Sequence, residues 1–382
     1  MIPITTQQAL EDFCKEVMAS DYITVDTEFI RDKTYFPRLC LVQIAGDKLH
    51  GIIDPLAEGI DLKPLYALLQ KKKLPKVFHA CRQDIEIFYI LSGKIPLTVF
   101  DTQVAAAVCG YGDSVSYETL VNKIAKKDID KSSRYTDWSA RPLTDKQLAY
   151  ALSDVTYLRT IYEKLRQKIE ESGRTSWIEE EHAYLTDPAL YEIKPEDAWK
   201  RLKYGSMRPK GLAVLRELAA WREVEAKKTN VPRGHIIKDD ALIELAHSAP
   251  TKEADIKRLR RVGKNLSKSR LDTVLKLVKS ALELSPEDYP KPEKPGRLPP
   301  DIAGSMELLK MLLKVQAEAE GVSASIIAGK DDLESIALGH KDSPALSGWR
   351  YDIFGQKAEA LMAGKLSLSL DATTKHVMFE ER

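Results

Sequence analysis

A chain of 382 residues with 43% hydrophobic and 30% charged side chains is long enough for two or three ordinary globular domains. No run of about 18 uninterrupted apolar residues occurs, so no membrane span is expected. The opening MIPITTQQALEDFCKEV lacks a basic start followed by an apolar core, so no signal peptide is expected and the cytoplasm is the expected location. The four cysteines, Cys14, Cys40, Cys81 and Cys109, form no C-x-x-C pair, which argues against a disulfide scaffold or a zinc ribbon. The formal net charge of +1 hides an asymmetry. Residues 201–280 carry about +11, the first 200 about −5, residues 281–290 about −3 and residues 291–382 about −2. A basic block beside an acidic one suits a polyanionic partner held by one domain and processed by another; a solvated charged helix face gives the same totals.

Residues 20–55 read as strands. Tyr22-Ile23-Thr24-Val25 is β-rich, Leu39 to Ala45 follows, and Gly51-Ile52-Ile53-Asp54 comes after the Gly46-Asp47 turn. Leu62 to Gln70 reads as a helix, Lys76 to Ala80 as a short buried strand, and Arg82 to Leu91 as the next helix. Val99-Phe100-Asp101 opens another strand–helix unit. Leu148, Leu152, Val155, Leu158 and Ile161 recur at helical spacing, predicting a long helix over Thr144 to Lys168. Thr144 is its expected N-cap, with Gln147 as capping-box partner. Together these elements predict a mixed α/β sheet domain ending near Tyr191.

From Trp199 to Leu284 the pattern is helical and basic. Ser285 to Pro300 (SPEDYPKPEKPGRLPP) is a proline-rich linker, and Asp301 to Lys365 is helical again. Ile236-Ile237-Lys238-Asp239-Asp240-Ala241-Leu242 resembles Ile326-Ile327 with Lys330-Asp331-Asp332-Leu333 beyond it, an offset of about 90 residues. Two copies of one small helical module fit this better than one long domain; chance similarity between two helical bundles is the alternative.

Three acidic signals carry chemistry. Asp26-Thr27-Glu28 lies at a strand end, and strand alternation puts both carboxylates on one face. Like charges at that spacing repel unless a cation neutralises them. Tyr150 and Asp154 share a face of the long helix. Asp84 sits in the first turn of the helix after Val77–Ala80, where a carboxylate also complements the helix dipole. Singly, each signal also fits an ordinary solvated or capping side chain.

Asp-x-Glu, an Asp about 55 residues on and Tyr-x-x-x-Asp about 65 further form an ordered set. The set resembles the tyrosine subclass of the DEDD exonuclease superfamily, and within it the bacterial ribonuclease D family. The segments that carry the resemblance are VDTEFIRDKTYFPRLCLVQIA (25–45), KVFHACRQDIEIF (76–88), VFDTQVAA (99–106), TDWSARPLT (136–144) and YALSDVTYL (150–158). The histidine subclass places its base five residues before the last Asp; here position 149 is Ala and position 150 is Tyr. The resemblance implies a ribonuclease H-like mixed sheet in an α/β catalytic domain (residues 1–191), followed by two all-α helical domains.

It further implies that Asp26, Glu28, Asp84 and Asp154 hold two divalent ions, Mg²⁺ or Mn²⁺, while Tyr150 orients the attacking water. Nucleoside 5′-monophosphates would leave the 3′ end one at a time. Thr27 and Phe29 flank the first ligands and are candidate contacts to the terminal nucleotide, and His79 is a candidate substrate contact or a satisfied structural residue. Trp138 is a candidate stacking surface or, equally, a core residue, and Arg141 a candidate phosphate contact. Asp101 matches a family position outside the ligand set.

Residues 208–282 resemble the HRDC domain through LRELAAWREVEAKKTNVPRGHIIKDDALIELA (215–246). The expected domain covers 200–284, with the linker at 285–300 and a second, diverged copy over 301–370. Lys210, Arg258, Arg261, Lys264 and Lys268 are candidate phosphate contacts. The second copy lacks the basic excess and the Trp-Arg pair of the first, so it is expected to close a ring with the other domains or shape the substrate path rather than bind RNA strongly.

The resulting expectation is a 3′→5′ exoribonuclease acting on tRNA precursors and other structured RNAs, monomeric by default. The carboxylates alone leave a DNA exonuclease open, because 2′-OH recognition is a matter of pocket detail. A noncatalytic nucleic-acid-binding protein on the same fold is the reading from another class; a lost carboxylate would favour it, and none is lost. No G-x-x-x-x-G-K-[ST] sequence occurs, so no nucleotide cofactor is expected.

Overall fold

The computed structural model describes residues 2–134, 136–262, 266–291, 299 and 302–382. The chain begins with helix α1 (Gln7–Val17), capped by the Thr6 side chain and burying Leu10, Phe13, Cys14 and Val17. Strands β1 (Ile23–Ile30), β2 (Arg38–Ala45) and β3 (His50–Ile53) follow, then α2 (Lys63–Leu69), β4 (Lys76–Phe78), α3 (Arg82–Ser92), β5 (Val99–Asp101), α4 (Thr102–Val108) and the short α5 (Tyr117–Leu120). The long helix α6 (Asp145–Glu171) and α7 (Thr175–Leu185) complete the first region. Thr144 caps α6 and forms the expected capping box with Gln147.

The five-stranded sheet runs β3-β2-β1-β4-β5. β1 pairs parallel with β4, β4 parallel with β5, and β2 antiparallel with β3. The sheet is therefore mixed, as the strand and helix order predicts. Its central strand β1 is the one that carries Asp26 and Glu28.

Beyond it come α8 (Pro209–Thr229), α9 (Arg233–Ile236), α10 (Asp239–Ser248), α11 (Glu253–Arg258) and α12 (Lys268–Leu282). Then α13 (Ala303–Glu320), α14 (Ala324–Ile327), α15 (Lys330–Ala337), α16 (Gly348–Arg350) and α17 (Gln356–Met362) lead to a hairpin of β6 (Leu366–Leu370) and β7 (Val377–Glu381). This hairpin departs from the all-α expectation for the last region: Leu366, Leu368 and Leu370 alternate with serines, a strand period rather than a helical one. Of the expected proline-rich linker, residues 292–298 and 300 lie outside the described residues.

The chain forms two compact units. The first is Met1–Phe29, Leu39–Pro188 and Pro299–Arg382; the second is Ile30–Arg38 and Ala189–Leu298. In the first unit the C-terminal helices pack on the α/β region. Trp177 stacks on Trp349 with centroids 4.4 Å apart, Arg350 pairs with Glu181 at 2.6 Å, and Ser323 N–H donates to the Ala107 carbonyl. Gly110, at φ +77°, permits a close approach there: a Cβ on it would lie 2.3 Å from the Gly321 carbonyl oxygen.

The core of the second unit gathers Trp199, Leu212, Leu215, Leu218, Leu242 and Val274. Tyr35, from the stretch joining β1 to β2, is part of that core. Its hydroxyl donates to buried Glu223, and Arg233 pairs with the same carboxylate at 2.5 Å while its guanidinium lies 4.7 Å from the Tyr35 ring centroid. Burial pushes the Glu223 carboxyl up, but Arg233 and Tyr35 outweigh it and hold the group below its ordinary value. Removing the cation strands a buried charge. Arg233→Met is therefore expected to destabilise this unit by about 3 kcal/mol or more in urea unfolding. A Glu223→Gln/Arg233→Met pair should recover part of that loss; a single-variant cost near zero would contradict the role given to the pair.

Candidate metal and nuclease site

Three elements deliver the acidic residues to one place. β1 presents Asp26 and Glu28, the first turn of α3 presents Asp84, and α6 presents Tyr150 and Asp154 one turn apart. All five line one open pocket of about 590 Å³, together with Thr27, Phe29 and His79. Carboxylate oxygens of Asp26, Glu28 and Asp154 lie within 4.8 Å of one another. Asp84 stands outside that trio but in the same pocket, and the buried Thr27 hydroxyl donates to it. Tyr150 donates to Asp154.

The carboxylates of the site repel one another and are buried, both of which oppose their charged forms. Burial pushes Asp26 up to about 7. Burial, then the charges of Asp26, Asp154 and Asp84, push Glu28 up to about 10. Burial followed by the Asp26 charge raises both Asp84 and Asp154 well above the carboxylate range, with the Tyr150 hydrogen bond opposing this at Asp154. Tyr150 is raised as well, by burial first and then by Asp154, Glu28 and Asp26. The donors are hard oxygens, the set suited to Mg²⁺ or Mn²⁺, and a cation among them would cancel the repulsion. The residues present thus fit a divalent-metal site.

The other expected contacts divide. Thr27 and Phe29 line the pocket, Thr27 with its hydroxyl committed to Asp84. His79 also lines it, but its Nδ1 is 3.0 Å from the Thr102 hydroxyl and it makes a backbone hydrogen bond with Val115. Burial lowers its pKa, so the ring is held neutral. Two expectations are corrected. Trp138 is not a stacking surface, because it is only 3% exposed and its ring lies 6.1 Å from that of Tyr150. Arg141 is not a phosphate contact. Its donors go to both oxygens of Asp54 and to the carbonyls of Cys40, Trp138 and Ala140, which occupies the guanidinium internally.

Two pocket residues had no sequence signal of their own. Arg134 lines the pocket, and its charge acts on Glu28, Asp154 and Tyr150. Tyr117 lies with its ring 5.6 Å from His79 and donates to the Ser153 carbonyl on α6. Among the basic candidates in the second unit, Lys210, Arg258, Arg261 and Lys268 are exposed; Lys264 lies outside the described residues. Arg261 sits 3.5 Å from Asp240.

This fold and this site define a 3′–5′ exonuclease: residues 1–170 match the 3′-5′ exonuclease family and residues 211–278 the HRDC domain. The chain is 47% identical to ribonuclease D of Bartonella henselae over 370 residues, 96% of this chain and 91% of that one. It is 46% identical to ribonuclease D of Jannaschia sp., covering 96% of each. The crystal structure of Escherichia coli RNase D, described as an exoribonuclease involved in structured RNA processing, superposes with a TM-score of 0.84 at 31% identity, over 95% of this chain and 99% of that one. The chain belongs to the ribonuclease D family, and its enzymatic class is that of the 3′–5′ exoribonucleases. No helix among the described residues is long and apolar enough to cross a membrane.

The raised carboxyl groups fix the sign of a pH effect. Asp26 holds its proton in the folded protein to about 7, against 3.8 in the unfolded chain. Its stabilising contribution is therefore complete below about 4 and lost as pH rises through about 7. In EDTA, Asp26→Asn should melt above the wild type at pH 8, by about 2–4 °C for each kcal/mol of repulsion removed, and the gap should narrow as pH falls through about 7 and close below about 4. Mn²⁺ should reverse the order at pH 8. A gap that does not change with pH would contradict this electrostatic account.

Proposed function

We propose that this exoribonuclease trims the 3′ ends of tRNA precursors and other structured RNAs, using Asp26, Glu28, Asp84 and Asp154 to hold two Mg²⁺ or Mn²⁺ ions. The observation that carries the reading is the trio of carboxylates within 4.8 Å of one another beneath the Tyr150–Asp154 hydrogen bond. Bound there, two divalent cations supply Lewis-acid stabilisation of the attacking and departing oxygens in an in-line displacement. The products are nucleoside 5′-monophosphates.

The protein's own groups supply position. The Tyr150 hydroxyl, which donates to Asp154, orients the attacking water or assists its deprotonation. Thr27 holds Asp84 through its hydroxyl. Phe29 offers its ring to the terminal base, and His79 bounds the same pocket as a neutral side chain.

In this reading residues 1–191 are the catalytic domain, 200–284 the basic HRDC domain, 285–300 the linker and 301–370 a second HRDC-like domain. Lys210, Arg258, Arg261, Lys264 and Lys268 contact phosphates without reading sequence. The enzyme works as a monomer, without a nucleotide cofactor, in the cytoplasm; its four free cysteines suit that reducing compartment.

The direct test digests 5′-labelled 3′-extended tRNA and a matched single-stranded DNA with Mg²⁺, with Mn²⁺ and with EDTA. A metal-dependent ladder shortening from the RNA 3′ end is expected, and a ladder confined to DNA would overturn the substrate. Tyr150→Phe should slow hydrolysis by about 100-fold with Mn²⁺ affinity kept. A collapse of metal affinity would remove Tyr150 from this role. Replacing Lys210, Arg258, Arg261 and Lys268 by Ala should flatten the salt dependence of RNA binding, by about 0.7 in log–log slope for each phosphate no longer neutralised. An unchanged slope would clear this surface of RNA contact.

A further inference from the structure

Asp101, an acidic residue outside the expected ligand set, holds the backbone just before the helix that carries Asp84. Asp101 ends β5 opposite Phe78 of β4, at the edge of the sheet. It is 3% exposed, and every acceptor site the structure assigns to its carboxylate is taken by the chain itself. Oδ1 accepts from Ala80 N–H at 3.0 Å and Gln103 N–H at 2.7 Å; Oδ2 accepts from Cys81 N–H at 2.8 Å. The Cys81 thiol donates to it as well. A carboxylate so committed is not a metal ligand. It is an anchor for the backbone.

What it anchors is the turn from β4 into α3. Ala80 sits at φ +57°, in the left-handed region that a residue with a Cβ adopts only at a cost of about 1 kcal/mol or more. Ala80 and Cys81 are the two residues immediately before α3, and Asp84 is the third residue within it. Only Arg82 and Gln83 lie between the anchored Cys81 and Asp84, all on one helical turn. A shift at the turn therefore moves Asp84 directly. Thr102 braces the same junction, donating to the Phe78 carbonyl at 2.9 Å. β5 is itself held from behind: Asp101 N–H donates to His182 Nε2 at 2.9 Å, and the His182 ring packs edge-on to Phe100.

We propose that Asp101 is a positioning residue for the metal site: by pinning the left-handed turn at Ala80, it sets Asp84 in the pocket lined by Asp26, Glu28 and Asp154, where it would help to hold a divalent cation. The inference rests on the metal-site reading above. Removing a hydrogen-bonded partner behind a ligand costs about 10–100-fold in metal affinity or activity, and a loss in that range is expected here.

The test is Mn²⁺ binding to the full-length protein, counted by electron paramagnetic resonance, in wild type, Asp101→Asn, Asp84→Asn and the double variant. Asn keeps one acceptor oxygen but turns an amide N–H₂ toward backbone donors. Asp101→Asn should weaken Mn²⁺ binding about 10-fold or more in the wild-type background and less than about 2-fold in the Asp84→Asn background. Its KM for RNA should stay within about 2-fold while kcat falls. An equal loss in both backgrounds would show that Asp101 acts elsewhere in the fold and would overturn the proposal. Should Asp101→Asn fail to fold, Asp101→Glu keeps the charge and both acceptors but displaces them by one methylene. An intermediate loss of affinity is then expected, and unchanged affinity would count against the role. Wild type that binds no Mn²⁺ would overturn the metal-site reading itself; normal wild-type binding with Asp101→Asn unaffected would overturn this inference alone.

Discussion

Carboxylates held together against their own repulsion set the terms for this molecule. Asp26, Glu28 and Asp154 crowd within 4.8 Å, with Asp84 in the same pocket, and burial raises the energy of each charge further. A fold that merely sought stability would disperse them. This one delivers them from three separate elements and keeps them in place with rigid supports. Stability lost at such a cluster returns when a cation enters, which is why the site reads as built for metal rather than as an accident of the surface.

The supports are concrete. On one side, the capping box of Thr144 and Gln147 fixes where α6 begins, and so fixes the face that shows Tyr150 and Asp154. The loop before it is tied to the sheet by Arg141, which reaches Asp54 and the Cys40 carbonyl. Trp138 fills the space beside Tyr150. On the other side, Asp101 and Thr102 brace the turn into α3. Residues whose types suggest substrate contacts thus turn their polarity inward, toward geometry. The docking of the C-terminal helices belongs with this theme: α7 faces them through Trp177 and Glu181 and faces β5 through His182.

The sequence made legible whatever depends on local period or spacing. Alternation in VDTEF places Asp26 and Glu28 on one face, and the four-residue step from Tyr150 to Asp154 places both over the same pocket. The long helix and its cap were equally open to reading. What escaped was long-range. Nothing near Arg141 says that its partner is Asp54, 87 residues earlier, or that Trp138 is buried. Arg134 reaches the pocket from a turn and Tyr117 from the one-turn helix α5, both too short to carry a periodic signal. Helix α1 and the terminal hairpin were different, for their periods were present in Leu10, Phe13, Cys14 and Val17 and in LSLSL. Short elements at chain ends are simply outweighed by the stronger patterns beside them.

The central claim is that these carboxylates form a two-cation site, and the most direct test is anomalous diffraction from crystals grown with Mn²⁺. The account predicts two anomalous peaks in the pocket, about 4 Å apart. They should be ligated by Asp26, Glu28, Asp84 and Asp154, with the Tyr150 hydroxyl turned toward them. An empty pocket at saturating Mn²⁺, or ions bound only elsewhere on the chain, would contradict it.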